Sequence, residues 1–329
     1  MILSESIDGY LAYRRLQRYA DNTLKLDERA LRQLLAVVGD LQVRNLTPVH
    51  IDKWLAVRSA ICQPSSLNTE QQTLRSWEKW MHQRANLAPR QNLTGHLRNY
   101  RYMPKQKLIV PASHFADLLD AAIDPTDRAV VAMGLYLFPR QSEIASLRVS
   151  DFSLEMGTVW LTIHKTNERD LMPICSELDS EMRRYWTWRA GLCPLAPSQY
   201  ALCAKRIDWN GLRTPRPLDK ITRPFDAVQR VLTQAGYDVP PGEGCHTLRR
   251  SGATALYRSL KERGHDYAIR TVQAMLHHKS VTTTERYLDI TADRKARDDL
   301  FRGKPMFEQP ADNIISIRRG ESEAEVRGA

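Results

Sequence analysis

The sequence lacks a paired-cysteine motif: Cys62, Cys175, Cys193, Cys203 and Cys245 are odd in number, scattered and free of any C-x-x-C pair. Neither a disulfide framework nor a cysteine zinc site is therefore expected, and the five read as reduced thiols. It also has no long apolar run and no lipidation motif, which argues against a membrane partner. The opening stretch MILSESIDGYLAYRRLQ interrupts its apolar residues with charges, so it is not a secretory signal and a cytoplasmic location is expected. No carboxylate stands at ligand spacing beside His246, His277 or His278, so neither a metal nor a cofactor is expected.

What is present is positive charge. Lysine and arginine number 48 against 38 acidic residues, a formal net charge of +10 on 329 residues. That excess, with an isoelectric point near 9.4, favours a polyanionic partner, and nucleic acid fits it best. The length suits two domains, each able to bury its own core.

The first hundred residues read as all helical. Leu24, Leu31, Leu34, Leu35 and Val38 fall near helical spacing before the stop at Gly39, and a short helix precedes them. Thr47 followed by Pro48 caps a helix whose buried stripe is expected to include Ile51, Leu55 and Ile61. From about Ser66 to Ala85, Leu74, Trp77 and Met81 share one face of a third helix. The stretch RNYRYMPKQKLIVP, Arg98 to Pro111, has turn chemistry and no period, which marks a boundary. Two readings of it stay open: a solvated linker, or a strap that lays Arg98, Arg101, Lys105 and Lys107 against phosphates. The expected division is a helical domain over 1–100, a linker over 101–111, a second domain over 112–300 and a tail over 301–329.

In the second domain, Ser113 is expected to cap SHFADLLDAA, and Asp124 with Pro125 to open the apolar helix AVVAMGLYLF. QSEIASLRV reads as a short helix, and TVWLTIHKTNERDLMPI as a hairpin with Lys165 on its turn. Helices follow over Leu178 to Arg189 and Thr222 to Gln234, separated by what reads as a proline- and lysine-rich surface segment. A helix from Cys245 to Leu260 carries His246 and Arg249, three apart and on one face. A final paired unit delivers His278 and, nine positions on, Tyr287.

These pieces suit phosphodiester chemistry. A phenol attacking a phosphodiester builds charge on the non-bridging oxygens, which fixed guanidiniums stabilise through their planar forks of donors. A lysine on a turn can protonate the leaving oxygen. Four boxes occur in order: FPRQSEIASLRVSDF, the Lys165 turn, HTLRRSGATAL and LHHKSVTTTERY. Together they resemble the catalytic domain of the tyrosine recombinases, the phage integrase and Xer-like family, over most of Ser113 to Ile290, and the helical domain before it more loosely resembles that family's core-binding domain.

The resemblance implies a mainly α fold with a small antiparallel β-sheet, its SAM-like helical domain and catalytic domain closing as a clamp round DNA. It implies that Arg140 and Arg249 hold the phosphate, that Glu143 buttresses Arg140, and that Lys165 serves the leaving 5′ oxygen, with Arg169 open as an alternative. His246 would assist proton transfer, His278 would hydrogen-bond the phosphate and Tyr287 would form a 3′-phosphotyrosyl link needing neither ATP nor a metal. Two positions depart from the family pattern: His277 stands where glycine is usual, and Phe138 where a small residue is usual.

The expected function is site-specific recombination that integrates and excises a phage or other mobile element. The implied partners are specific sites in duplex DNA, a homotetramer working through a Holliday junction, and accessory DNA-bending or directionality proteins, with the protein nucleoid-associated. The rivals are a Xer-like resolvase of replicon dimers, favoured by the lack of a recognisable arm-binding domain before residue 10, a type IB topoisomerase, and a DNA-binding relative without catalysis. The tail carries Ile314, Ile315 and Ile317, a short apolar run read either as docking on a neighbouring protomer or as a disordered end.

Overall fold

The computed structural model describes residues 1–84, 92–102, 107–164, 168–207, 211 and 213–288. Lys105, Lys165 and the tail therefore lie outside the described residues. The chain divides into two compact units, Met1–Gln106 and Lys107–Ala329.

The first unit is built from α1 (Leu3–Leu16), α2 (Asp21–Val38), α3 (Pro48–Ser59) and α4 (Pro64–Arg84). Leu3, Ile7 and Leu11 of α1 meet Leu31 and Leu34 of α2, Ile51 and Trp54 of α3, and Leu74, Trp77 and Met81 of α4 in one core. Some polar groups inside it pair with one another: the Trp77 indole N–H donates to Ser6 Oγ (3.0 Å), and Asp27 accepts from Arg14 (2.8 Å) and Thr73 (2.8 Å), whereas the Trp54 indole N–H has no hydrogen-bond partner among the described residues. Gly39 ends α2 with φ +79°, as its position suggested.

Ile61 does not join the α3 stripe. The helix stops at Ser59, and Ile61 is 72% exposed while Trp54 fills the core. Ten residues separate Ile51 from Ile61, which turns the latter well away from the buried face at 100° per residue; Cys62, one step on, packs there instead.

The second unit begins with α5 (Phe115–Asp120) and α6 (Pro125–Tyr136). Ser113 lies within a 3₁₀ turn ahead of α5 rather than capping it, and His114 takes the cap position. Asp124 caps α6 as its sequence predicts, accepting from the N–H groups of Thr126 (2.8 Å) and Asp127 (3.2 Å), a contact worth about 1 kcal/mol. After α7 (Gln141–Ser146) come β1 (Phe152–Ser153), β2 (Thr158–Ile163) and β3 (Glu168–Pro173) in one antiparallel sheet of that order. The β2–β3 register runs from Thr158 opposite Pro173 to Ile163 opposite Glu168.

Next are α8 (Ser176–Ala190), β4 (Cys203–Ile207), β5 (Arg213–Lys220), α9 (Pro224–Gln234), α10 (Cys245–Glu262), α11 (Ala268–Met275) and α12 (Val281–Tyr287). The β4–β5 hairpin corrects the expectation of a plain surface segment there. Prolines at 215 and 217 hide a strand from pattern reading, yet a two-stranded sheet has only edges, where a strand tolerates residues without an N–H. Lys205 of β4 anchors the hairpin on α6 through Asp127 (2.6 Å), which Arg230 of α9 also grips (2.8 Å).

α6 lies at the centre, with Val130, Val131, Ala132 and Met133 all fully buried. α10 crosses it closely because Gly252 has no side chain: a Cβ there would overlap the Leu135 carbonyl and the Phe138 ring. A smaller apolar cluster of Phe138, Ala253, Val272, Leu276 and Leu288 underlies the far end of α10, with Tyr287 packed on it.

Candidate active site

Four backbone features bring six side chains together. Arg140 is the N-cap of α7, and Glu143, one turn on, accepts from both its main-chain N–H (2.6 Å) and its guanidinium (2.8 Å). Glu143 is wholly buried, so its charge is tolerable only because Arg140 stands against it. This single carboxylate fixes the helix start and aims the arginine.

Arg249 sits on the second turn of α10 and is 2% exposed. It donates through Nη1 to the Phe138 carbonyl and through Nη2 to the Leu276 carbonyl (2.6 Å). A guanidinium has five N–H donors, so these two bonds leave three for other acceptors. Burial pushes its pKa down from the usual value; the charge of Arg140 adds to this, and Tyr287 and Glu143 oppose it.

Both carbonyls are presented by unusual backbone. Phe138 has φ +58° and His277 φ +51°, in the left-handed region that costs a non-glycine residue about 1–2 kcal/mol. At His277 the cause is a helix-ending motif: its N–H donates to the Ala274 carbonyl (2.9 Å) and the His278 N–H to the Gln273 carbonyl (3.1 Å), closing α11. At Phe138 the chain leaves α6 and turns toward Arg140 while the ring enters the small apolar cluster.

The neighbouring histidines diverge. The His277 ring reaches Asp170 of β3 (Nε2 to Oδ2, 2.9 Å), whereas His278 Nδ1 meets Thr284 Oγ1 (3.1 Å) in the middle of α12. The His278 ring meets the Tyr287 ring edge-on, 5.3 Å between centroids and 79° between planes. Tyr287, the last residue of α12, points its hydroxyl at the His246 carbonyl (3.4 Å). Burial pushes its pKa above 10, while Arg249, Arg250 and Arg140 pull it back. Its proton is thus held at neutral pH, and a base has to receive it.

His246 supplies a candidate base. Its pKa is lowered below 6.5, first by desolvation and then by the charges of Arg249, Arg140, Arg250 and Lys107, so it is neutral near pH 7. The site is a cationic seat beside a phenol, suited to an anion.

The chain matches the model of the phage integrase family over residues 112–294, more than half its length. The chain belongs to the phage integrase family. A tyrosine recombinase of Pseudothermotoga lettingae is 23% identical over 297 residues, 88% of this chain and 94% of the relative. The tyrosine recombinase XerA of Thermococcus kodakarensis is 30% identical over 185 residues, 54% of this chain and 57% of that protein, so the chain spans little more than half of that relative's length. Among solved structures, a lambda integrase tetramer bound to a Holliday junction superposes with a TM-score of 0.66 at 14% identity, covering 87% of this chain and 77% of that one. The tyrosine recombinase reading and the mainly helical fold with small antiparallel sheets stand.

Within this family frame, Arg140, Glu143, His246, Arg249, His278 and Tyr287 gather in the second unit. Lys165 and Lys105 fall outside the described residues. Arg169 is engaged elsewhere, paired with Asp151 (2.8 Å) and stacked on Trp160 (5.2 Å) on the sheet's outer face. Arg98 and Arg101 are exposed in the first unit; Lys107 is exposed in the second and adds to the charge felt by His246. The sequence reading missed Arg250 and Glu243, a buried pair (2.7 Å) in which Arg250 also holds the Leu108 carbonyl (2.8 Å). Its only sequence signal was the second arginine of HTLRRSGATAL, which on its own reads as surface charge.

Proposed function

We propose that this chain is a site-specific DNA recombinase in which Tyr287 attacks a phosphodiester. The bond from phenol oxygen to phosphorus forms as the bond to the 5′ oxygen breaks. His246 receives the phenol proton, and Lys165 gives one to the departing 5′ oxygen. Arg140 and Arg249 stabilise charge on the non-bridging oxygens, and His278, oriented by Thr284, hydrogen-bonds the same phosphate. Glu143 holds Arg140 in place. The 3′-phosphotyrosyl link conserves the bond energy, so a 5′ hydroxyl from a second duplex can reverse the step without ATP.

The observation that carries this reading is the gathering of the Arg140 and Arg249 guanidiniums about a phenol whose proton needs a base, with the His278 ring edge-on to it and His246 in the same field of positive charge. The reaction is integration and excision of a mobile element by four protomers on two duplexes, with specific duplex sites and accessory bending or directionality proteins as partners. The XerA relative favours one alternative, resolution of replicon dimers. Sequencing DNA beside the gene separates the two, since an attachment site there marks an integrase. The domain boundaries at residues 100, 111 and 300 and tail docking in trans belong to the same proposal; deleting Gln309 to Ala329 should spare single-site binding and impair assembly on paired sites.

The direct test is a nicked suicide substrate that loses the fragment needed for rejoining. The native protein should accumulate a covalent adduct and Tyr287→Phe, with its fold and affinity intact, none. An adduct on the Phe variant overturns the assignment.

A further inference from the structure

His277 is the residue whose placement the reaction above leaves unexplained. It occupies a left-handed position at φ +51° where a glycine would sit without strain, and it is not among the groups facing the phosphate. Its side chain is only 10% exposed, and its Nε2 stands 2.9 Å from Asp170 Oδ2. A carboxylate only accepts, so the ring donates through Nε2–H, while its buried Nδ1 has no hydrogen-bond partner among the described residues.

Asp170 lies on β3, opposite Leu161 and close to the open end of the β2–β3 pair at Ile163 and Glu168. That end has few anchors. Glu168 and Arg169 are exposed, and besides the Arg169–Asp151 pair (2.8 Å) it is fastened, among the described residues, by the buried Ile163, by His164 Nε2 against Ser146 Oγ of α7 (2.8 Å), and by Asp170 against His277. The His164 tether leads to the helix that starts at Arg140. The Asp170 tether leads to the turn whose Leu276 carbonyl holds Arg249 and whose next residue, His278, contacts Tyr287.

We propose that His277 is a positioning residue: its bond to Asp170 latches the β2–β3 hairpin to the turn carrying Arg249's acceptor and His278, and so sets the leaving-group donor relative to the nucleophile. The proposal rests on the recombinase reading with Lys165, between β2 and β3 in sequence, as that donor. It acts on one half of the reaction. Loss of the latch leaves Tyr287, Arg249 and His246 in place and misplaces only the proton meant for the 5′ oxygen, a displacement expected to cost on the order of 10–10² in rate.

That asymmetry gives the test. His277→Gly removes the ring and keeps a residue at ease in the left-handed region; Asp170→Ala removes the other half. Single-turnover cleavage by the full chain is measured on the ordinary phosphodiester and on a substrate whose bridging 5′ oxygen is replaced by sulfur, a leaving group that departs as thiolate without a proton. Both variants should be slow on the oxygen substrate and close to the native rate on the sulfur one, and the double variant should be no slower than either single. Lys165→Ala should show the same rescue. If Lys165→Ala is rescued and His277→Gly is equally slow on both substrates, or unimpaired on both, the latch is overturned while the recombinase reading survives. If Lys165→Ala is not rescued, the donor assignment falls and the latch with it.

Discussion

The guanidinium of Arg249 donates to the carbonyl of Phe138, a phenylalanine held in left-handed backbone at φ +58°. The strain is compensated by the ring, which is 4% exposed in the cluster beneath Tyr287. Phe138→Gly should therefore destabilise the protein: relief of about 1–2 kcal/mol of backbone strain is outweighed by about 3–5 kcal/mol for removing a buried ring. Urea unfolding of the second unit should show a lower midpoint with an unchanged slope. A higher midpoint would mean that the backbone strain dominates.

The two arginines should each cost rate and stability, for different reasons. Arg140 is partly exposed but is the partner of the buried Glu143, so Arg140→Ala should lower cleavage on the order of 10²–10³ and, by stranding that carboxylate, cost about 3–5 kcal/mol of stability. Arg249 is buried against two carbonyls, and Arg249→Ala orphans both, adding a stability loss of about 1–3 kcal/mol for each unsatisfied group. Cleavage rates, DNA affinity and unfolding midpoints measured on both variants check this. Loss of affinity equal to the loss in rate would make the arginines binding anchors instead of transition-state stabilisers.

The lowered pKa of His246 has a sign that can be followed. The unfolded chain takes up this proton near pH 6.5 and the folded chain only at lower pH, so the unfolded state binds more protons in that window and stability falls as pH drops through it. Above it the group contributes nothing further. Because the neutral ring is the base, single-turnover cleavage should plateau through neutrality and decline at a midpoint below 6.5. A profile whose acid limb is unchanged in His246→Gln removes His246 from that role.

Arg98, Arg101 and Lys107 are exposed and give the linker proposal a quantitative form. If each neutralises a phosphate, replacing any one by alanine should reduce the slope of log affinity against log salt by about 1 and weaken binding similarly across sequences. Titrations at several salt concentrations, on target and unrelated duplexes, measure both. Unchanged slopes would leave the stretch a solvated connector.

Much of the architecture was legible because the relevant signals are local. Asp124 with Pro125 fixes the start of α6, Gly39 the end of α2, and the β-branched run from Thr158 to Ile163 forms β2, each through the backbone chemistry of a few adjacent residues. Ile61 and the β4–β5 hairpin were misread for the converse reason. The end of α3 and the pairing of a proline-bearing strand depend on partners that no short window contains.

The family was legible in the sequence alone: four boxes that carry two arginines, two histidines and a tyrosine in order resemble the tyrosine recombinases, and the match to the phage integrase family over residues 112–294 bears that out. Tertiary structure decided how they are held. Arg249 and Phe138 are 111 residues apart, and His277 and Asp170 are 107 apart. Contacts at that range follow from how α6, α10 and the hairpin pack, so no residue spacing encodes them. The left-handed turns at Phe138 and His277 belong to the same class, since only the surrounding packing and hydrogen bonds offset the strain that either residue type would avoid in isolation.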